Sequence, residues 1–226
     1  MSAVAIFVKT PGLSPVKSRL GSAIGPEYAA ECHLRCARAV AEVARSAATG
    51  PVYWAVAEAD GLDYPGWSDL PRLLQTGTGL GARMKSIHDI LCRRHGAGIL
   101  VGADVPQIQP EDLQRSARHL RADSRPGVLG PSSDGGFWLF GTNSLLPTSA
   151  WEAPTYGGPR VVRDLQRAIG HSLNWLQLDT RTDLDEAEDL AMVTCALAGL
   201  THRHPAQSAL LEWMVHTLPK WTVEPP

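Results

Sequence analysis

Short apolar runs recur along the chain, each closed by glycine, proline or acidic residues, and most are followed by a stretch with helical spacing. Residues 4–8 (Val-Ala-Ile-Phe-Val) open onto Lys9-Thr10-Pro11-Gly12, the pattern of a buried strand ending in a loop. Pro26 then begins an alanine-rich amphipathic stretch to about residue 48, with proline at the first helical position, where its missing N–H costs nothing. Within it Cys32 and Cys36 lie one turn apart on a stripe continued by Val40, Val43 and Ala47, which points to buried thiols. Residues 52–57 form a second strand, 58–71 a loop, and 73–75 a short third strand before the glycine-rich 76–81 and a helix over about 82–94. A fourth strand spans 98–102 and a helix runs from Pro110 to about residue 121. Further strands fall at 127–130, 137–140 and 176–178, the last leading into a helix from Asp185 to about residue 197.

Strands alternating with helices of ten or more residues predict an α/β fold, a single-domain three-layer sandwich with a mainly parallel mixed sheet. At 226 residues one large domain over 1–218 is expected, with an irregular tail at 219–226 in which Trp221 pins part of the chain to the body. Composition is ordinary, 44% hydrophobic and 19% charged, and the net charge of -2 lacks the basic excess of a nucleic-acid binder. The opening residues lack the basic start and long apolar core of a signal peptide, and no apolar run approaches the roughly 18 to 20 residues of a membrane span. A cytoplasmic location is therefore expected, with the four cysteines unbridged.

Four segments carry candidate chemistry. After the first strand come Lys9, Gly12, Lys17 and Arg19, three cations with glycine and proline bending the chain between them. Such a loop at a strand's carboxyl end suits phosphate, although a solvated basic loop fits the same pattern. The spacings of a P-loop and of a dinucleotide fingerprint are absent. The fourth strand ends in Gly102-Ala103-Asp104-Val105-Pro106, where a lone carboxylate is placed to hold a hard cation or to cap a turn. In Ser133-Asp134-Gly135-Gly136-Phe137-Trp138 the glycines permit a close ligand and Asp134 suits sugar hydroxyls or a base role, while a plain Asp-Gly turn competes. Asp183-Leu184-Asp185-Glu186-Ala187-Glu188 reads as an N-cap at Asp185 with Glu188 as its capping-box partner.

Taken in order, Lys9-Thr10-Pro11-Gly12 with Lys17-Ser18-Arg19-Leu20, Leu80-Gly81-Ala82-Arg83-Met84, Gly102-Ala103-Asp104-Val105-Pro106, Gly130-Pro131 with Asp134-Gly135-Gly136, Trp151, and Asp183-Leu184-Asp185 with Glu188-Asp189-Leu190 form a specific set. By these the chain resembles a bacterial family of small glycosyltransferase-like proteins, once listed as a domain of unknown function and grouped with arsenosugar-biosynthesis glycosyltransferases. It is similar, more distantly, to the phospholactate and molybdenum-cofactor guanylyltransferases. The resemblance runs from residue 4 to about 197 and implies a nucleotide-diphospho-sugar transferase fold of the glycosyltransferase A type.

It further implies Mg²⁺ or Mn²⁺ on Asp104 with Asp183 or Asp185 as the second acid. The nucleotide side would be formed by Phe7, Lys9, Gly12, Lys17, Arg19, Gln75, Gly81 and Arg83, and the acceptor or sugar side by Asp134, Gly135, Gly136, Trp138 and Trp151. Asp104 and Asp134 are the candidate catalytic groups. Departures from the pattern are Gly79 in place of an acid before Leu-Gly, Val105 and Gln107 in place of cysteine and aspartate, Glu152-Ala153-Pro154 after Trp151, and Glu186 in place of threonine. The expected activity is transfer from a nucleoside diphosphate sugar to a small-molecule acceptor. The alternatives are nucleotidyl transfer from a nucleoside triphosphate with release of pyrophosphate, and a non-catalytic nucleotide-binding module.

Overall fold

The computed structural model describes residues 1–122 and 124–222. In chain order they form β1 (Ser2–Val8), α1 (Ser18–Ile24), α2 (Pro26–Ser46), β2 (Val52–Val56), β3 (Arg72–Leu74), α3 (Gly79–His95), β4 (Ala97–Gly102), α4 (Pro110–Ala122), β5 (Pro126–Pro131) and β6 (Phe137–Thr142). There follow α5 (Thr148–Glu152), α6 (Val161–Ile169), β7 (Asn174–Gln177), α7 (Asp189–Ala198), α8 (Pro205–Thr217) and α9 (Pro219–Thr222). The seven strands make one sheet in the order β3-β2-β1-β4-β6-β5-β7. Only β6 runs against its neighbours, pairing antiparallel with β4 and β5; the other pairings are parallel. A mainly parallel mixed sheet is thus what forms, and the carboxyl ends of β1, β2, β3, β4, β5 and β7 share one edge.

The expected alternation explains the layers. Val4, Ile6 and Val8 of β1 point to one face, packing under Val40 and Val43 of α2 and Leu113 and Leu120 of α4. Ala3 and Ala5 point to the other, under Met84, Ile87 and Leu91 of α3 and the helices α5 and α6. A period of two in a strand and 3.6 in a helix produces this sorting. Trp54 and Trp67 pack against each other in the first layer, with ring centroids 4.9 Å apart and planes inclined by 52°, as packing residues.

Four differences from the sequence expectation have physical reasons. Cys32 and Cys36 are buried but do not face the sheet with Val40 and Val43; they turn outward, into a third apolar cluster with Leu190, Val193 and Leu197 of α7 and Leu210 and Met214 of α8. Helix α2 is therefore buried on two sides, which its small residues permit. The last expected helix starts at Asp189, where the Asp189 carboxylate accepts the N–H groups of Asp185 and Glu186 at 2.9 and 2.8 Å, in place of a capping box between Asp185 and Glu188. Helices α1, α5, α6 and α8 were not expected; α8 is anchored by buried Gln207, whose amide donates to the carbonyls of Pro106 and Ile108. Part of the tail expected to be irregular is helical, since Pro219–Thr222 is α9, with Trp221 against the third cluster. Residues 223–226 lie outside those described. Among the described residues no helix is long and apolar enough to cross a membrane.

Candidate functional site

From β1 the chain proceeds through α2 to β2 and β3 on one side, and it later returns to β4 on the other side of β1. The loops leaving β1 and β4 diverge there, opening a crevice at the carboxyl edge of the sheet, the usual ligand position in open α/β folds. A cleft of about 490 Å³ occupies this place, lined among others by Phe7, Lys9, Lys17, Arg19, Gln75, Arg83, Asp104 and Asp185. Eight residues singled out in the sequence therefore share one cavity.

Lys17 is held by its backbone. It adopts a left-handed conformation, φ 45° and ψ 48°, immediately before α1. A β-carbon in that region costs on the order of 1 kcal/mol, so the surroundings must hold it there. The turn drives the side chain inward until only 2% of it is exposed. Its ammonium donates to the Leu184 carbonyl, lies 2.5 Å from Asp104 Oδ1, and sits 3.9 Å from Asp185 Oδ1. Lys17, expected to face phosphate, lines the cleft with its ammonium on a carboxylate. Burial works against the ammonium and is the largest single influence, but Asp104, Cys36, Cys32 and Asp185 together outweigh it and raise the lysine pKa above its ordinary value. Burial likewise disfavours the Asp104 carboxylate, yet Lys17 and then His33 hold its pKa well below the usual range.

His33, on α2, escaped the sequence reading. Its Nε2 lies 2.9 Å from the Lys9 carbonyl and its Nδ1 3.7 Å from Asp104 Oδ1, so it ties the β1 loop to the β4 loop. Arg19 is the exposed cation of the group, 66% open, reaching Glu186 at 2.5 Å and Asp185 at 3.1 Å. Gln75 lines the cleft, but its amide donates to the carbonyls of Val8 and Ala55 and so fixes β3 to its neighbours.

The remaining residues expected at the site separate. Gly12 turns the β1 loop outside the main cleft, and Gly81 is buried where α3 meets α5. Asp134 is exposed and is not among the residues lining the cleft; its Oδ1 accepts the Gly136 N–H at 2.8 Å, and its charge acts on Arg19 and Asp183. Gly135 has φ +90°, and an added β-carbon would meet the Pro159 carbonyl at 2.2 Å, so glycine there answers a packing demand before any ligand is considered. Trp138 and Trp151, expected on the acceptor side, are buried. Trp138 donates to the Asp179 carbonyl at 3.1 Å under Arg181, and Trp151 packs on His88 and Phe140. Their indoles are packing groups.

The three aspartates expected to share a metal are electrostatic neighbours. Asp183 is pushed up to about 7, first by burial and then by Asp104, Asp134 and Asp185, with the Ser132 hydroxyl pulling the other way. Asp185 is also raised, by burial and Asp104. Such crowding favours an added cation. Among the described residues, however, no three His, Cys, Asp or Glu side chains are grouped to hold one metal ion. The donor set fits a hard divalent ion only in part: Mg²⁺ in phosphate sites takes one or two carboxylates and completes its shell with phosphate and water. Asp104 meets this condition, since Lys17 and His33 both engage Oδ1 while 35% of the side chain stays exposed, leaving Oδ2 for a cation.

A family profile described as "Uncharacterized protein conserved in bacteria (DUF2064)" matches residues 35–157. No curated protein sequence matches the chain. Among solved structures, the fold is similar to that of a candidate nucleotide-diphospho-sugar transferase from Desulfovibrio desulfuricans G20, with TM-score 0.81, 24% identity and 99% of each chain covered. It is also similar to a CMP:2-keto-3-deoxy-manno-octonic acid synthetase complexed with CTP (TM-score 0.56, 12% identity, 87% of this chain and 98% of that one). A cytidylyltransferase from Leptospira borgpetersenii gives TM-score 0.54 at 9% identity over 100% of this chain and 98% of that one. At these identities the likeness is one of fold.

Proposed function

We propose, from the premise that this chain belongs to the bacterial family described as "Uncharacterized protein conserved in bacteria", that it is a transferase acting on a nucleotide-activated donor, a nucleoside diphosphate sugar. One observation carries the reading: at the divergence of the β1 and β4 loops, exposed Lys9 and Arg19 line the same cleft as Asp104, whose charge is fixed by the buried Lys17.

The chain's own residues divide the work. Lys9, Arg19 and Arg83 bind the diphosphate, with Arg19 released from Asp185 and Glu186 to reach it. The first turn of α3 presents N–H groups with no acidic side chain among them, which favours an anion at the same mouth. Lys17 and His33 keep Asp104 ionised and aimed at the cleft. Asp104, with Asp185, is the residue that would hold Mg²⁺ or Mn²⁺; when bound, such an ion neutralises the charge that collects on the departing diphosphate. Asp134 positions the acceptor hydroxyl or takes its proton at Oδ2, its Oδ1 being engaged by Gly136.

A thermal-shift panel of nucleotides and nucleotide sugars, with and without Mn²⁺, followed by product analysis, tests the reading. A nucleoside diphosphate released from a nucleotide sugar in the presence of an acceptor supports it. Pyrophosphate released from a nucleoside triphosphate would instead assign nucleotidyl transfer, which the same cations and carboxylates suit. Stabilisation without turnover would reduce the protein to a nucleotide-binding module, and no stabilisation by any nucleotide would overturn all three readings.

A further inference from the structure

Beside the main cleft lies a smaller cavity of about 140 Å³, between the sheet and α3. It is bounded by Phe7 at the end of β1, Leu100 and Gly102 of β4, Phe137 at the start of β6, and Leu80 and Met84 of α3. Phe7, Leu80 and Gly102 line both spaces, so the two adjoin. Every side chain on its wall is apolar apart from the Trp138 indole N–H, which is committed to the Asp179 carbonyl. The reason lies in strand register: Phe7 and Leu100 project to the α3 face along with Phe137, whose ring packs 5.8 Å from Phe140. At the mouth Leu80 is 47% exposed, an apolar side chain on the rim of a polar cleft.

The volume is close to the ~150 Å³ in which a benzene ring is accommodated. A sugar ring or a phosphate entering it would give up hydrogen bonds to water and meet little replacement from walls that are mainly apolar. The polar edges of a nucleobase meet the same obstacle. An aryl ring or a short branched alkyl group gains by leaving water there and covers Leu80 as it does so. Gly102 stands two residues before Asp104, so the group lodged in the cavity lies beside the phosphate end of the cleft and not at a remote surface.

We propose that this cavity binds an aryl or short branched alkyl group, and that the group is the apolar part of the acceptor. Binding follows from the cavity alone; its assignment to the acceptor rests on the nucleotide-donor reading. Benzyl alcohol serves as the probe and glucose as the polar control, with binding to the full chain followed by ligand-observed NMR, and nucleoside diphosphate binding measured in parallel. Benzyl alcohol is expected to bind, glucose not, and a saturating nucleoside diphosphate to leave benzyl alcohol in place. Met84→Trp, which fills the space, is expected to weaken the probe at least tenfold. Leu80→Gln, at the exposed rim, should do so too and decides the matter if the tryptophan variant does not fold. Unchanged probe affinity in a folded variant, or no binding to the wild type while nucleotides bind, overturns the subsite and leaves the donor reading standing. Displacement by nucleotide assigns the cavity to the donor and overturns the acceptor role. Probe binding without any nucleotide binding would defeat the donor reading and leave the apolar subsite in place.

Discussion

Lys17 and Asp104 form an ion pair at 2.5 Å in which the lysine is the buried partner: 2% of its side chain is exposed against 35% for the aspartate. The asymmetry decides what each substitution does. Asp104→Asn leaves an ammonium enclosed with the Leu184 carbonyl as its main remaining partner, the kind of uncompensated charge that costs about 3 kcal/mol or more. Lys17→Met keeps an apolar stem of similar length and leaves its charge deficit on the more exposed Asp104, so it should cost less. Urea unfolding of the two variants checks the order; equal destabilisation would mean that burial does not control the pair.

The same pair sets how the cleft treats a cation. With Lys17 against Oδ1, Asp104 offers a divalent ion one oxygen already shadowed by a positive charge, and phosphate oxygens must supply much of the remaining coordination. Mn²⁺ should therefore bind weakly to the protein alone and at least tenfold more tightly with a nucleoside diphosphate present. In Lys17→Met the affinity without nucleotide should rise. Titration followed by electron paramagnetic resonance reads both; a Lys17→Met variant that binds Mn²⁺ no better than wild type would detach the lysine from metal affinity.

Much of the frame was legible because short-range pattern determines it. The apolar runs that became β1, β2 and β4 are buried end to end or nearly so, and α2, α3 and α4 begin within three residues of where proline and glycine place them. The Asp104 loop was found for the same reason, since an apolar strand ending in Gly-Ala-Asp-Val-Pro announces a carboxylate at a sheet edge. What the sequence hid depends on long-range partners. Lys17 turns inward through one left-handed residue and a carbonyl 167 positions away, neither visible in local spacing. His33 stands next to the Cys32 stripe of α2 and carries no motif of its own, so nothing in its neighbours announces that its ring spans the Lys9 carbonyl and Asp104. Trp151 looked like an acceptor platform because it stands in an ordered motif, yet the position serves α5 packing on α3. Motif order carries no information about which way a side chain turns.

His88 gives the fold an acid limit that is independent of the cleft. Its ring is fully buried, 5.4 Å from the Trp151 ring and 3.3 Å from Thr142 Oγ1, and burial pushes its pKa down to about 4, against the pull of Asp89. A folded-state value below the unfolded value near 6.5 means that the unfolded chain binds the extra proton between the two. Stability is then fully present above about pH 6.5 and declines as pH falls toward 4. Linkage puts the loss between pH 7 and pH 5 at about 2 kcal/mol from this residue. Urea midpoints across that range should show the slope, and His88→Phe should flatten it; an equally steep slope in the variant would place its origin elsewhere.

Gly81 and Trp151 are linked by the same packing. A β-carbon on Gly81 would meet the Trp151 carbonyl oxygen at 2.1 Å and the Tyr156 ring at 2.8 Å, while the Tyr156 hydroxyl donates to that same carbonyl at 2.8 Å. The carbonyl is thus pinned and cannot yield, so Gly81→Ala must push the first turn of α3 outward, at a cost of about 2 kcal/mol. Leu80 and Arg83 ride on that turn and line the cleft, so nucleotide affinity should fall together with stability. Gly79→Ala provides the contrast: its φ of +83° carries backbone strain, but nothing lies within 4 Å of the added carbon, so about 1 kcal/mol is expected and α3 keeps its place. Urea unfolding combined with nucleotide titration separates the two cases. If Gly81→Ala retained wild-type affinity despite its lost stability, the contact between α3 and α5 would have no hold on the cleft.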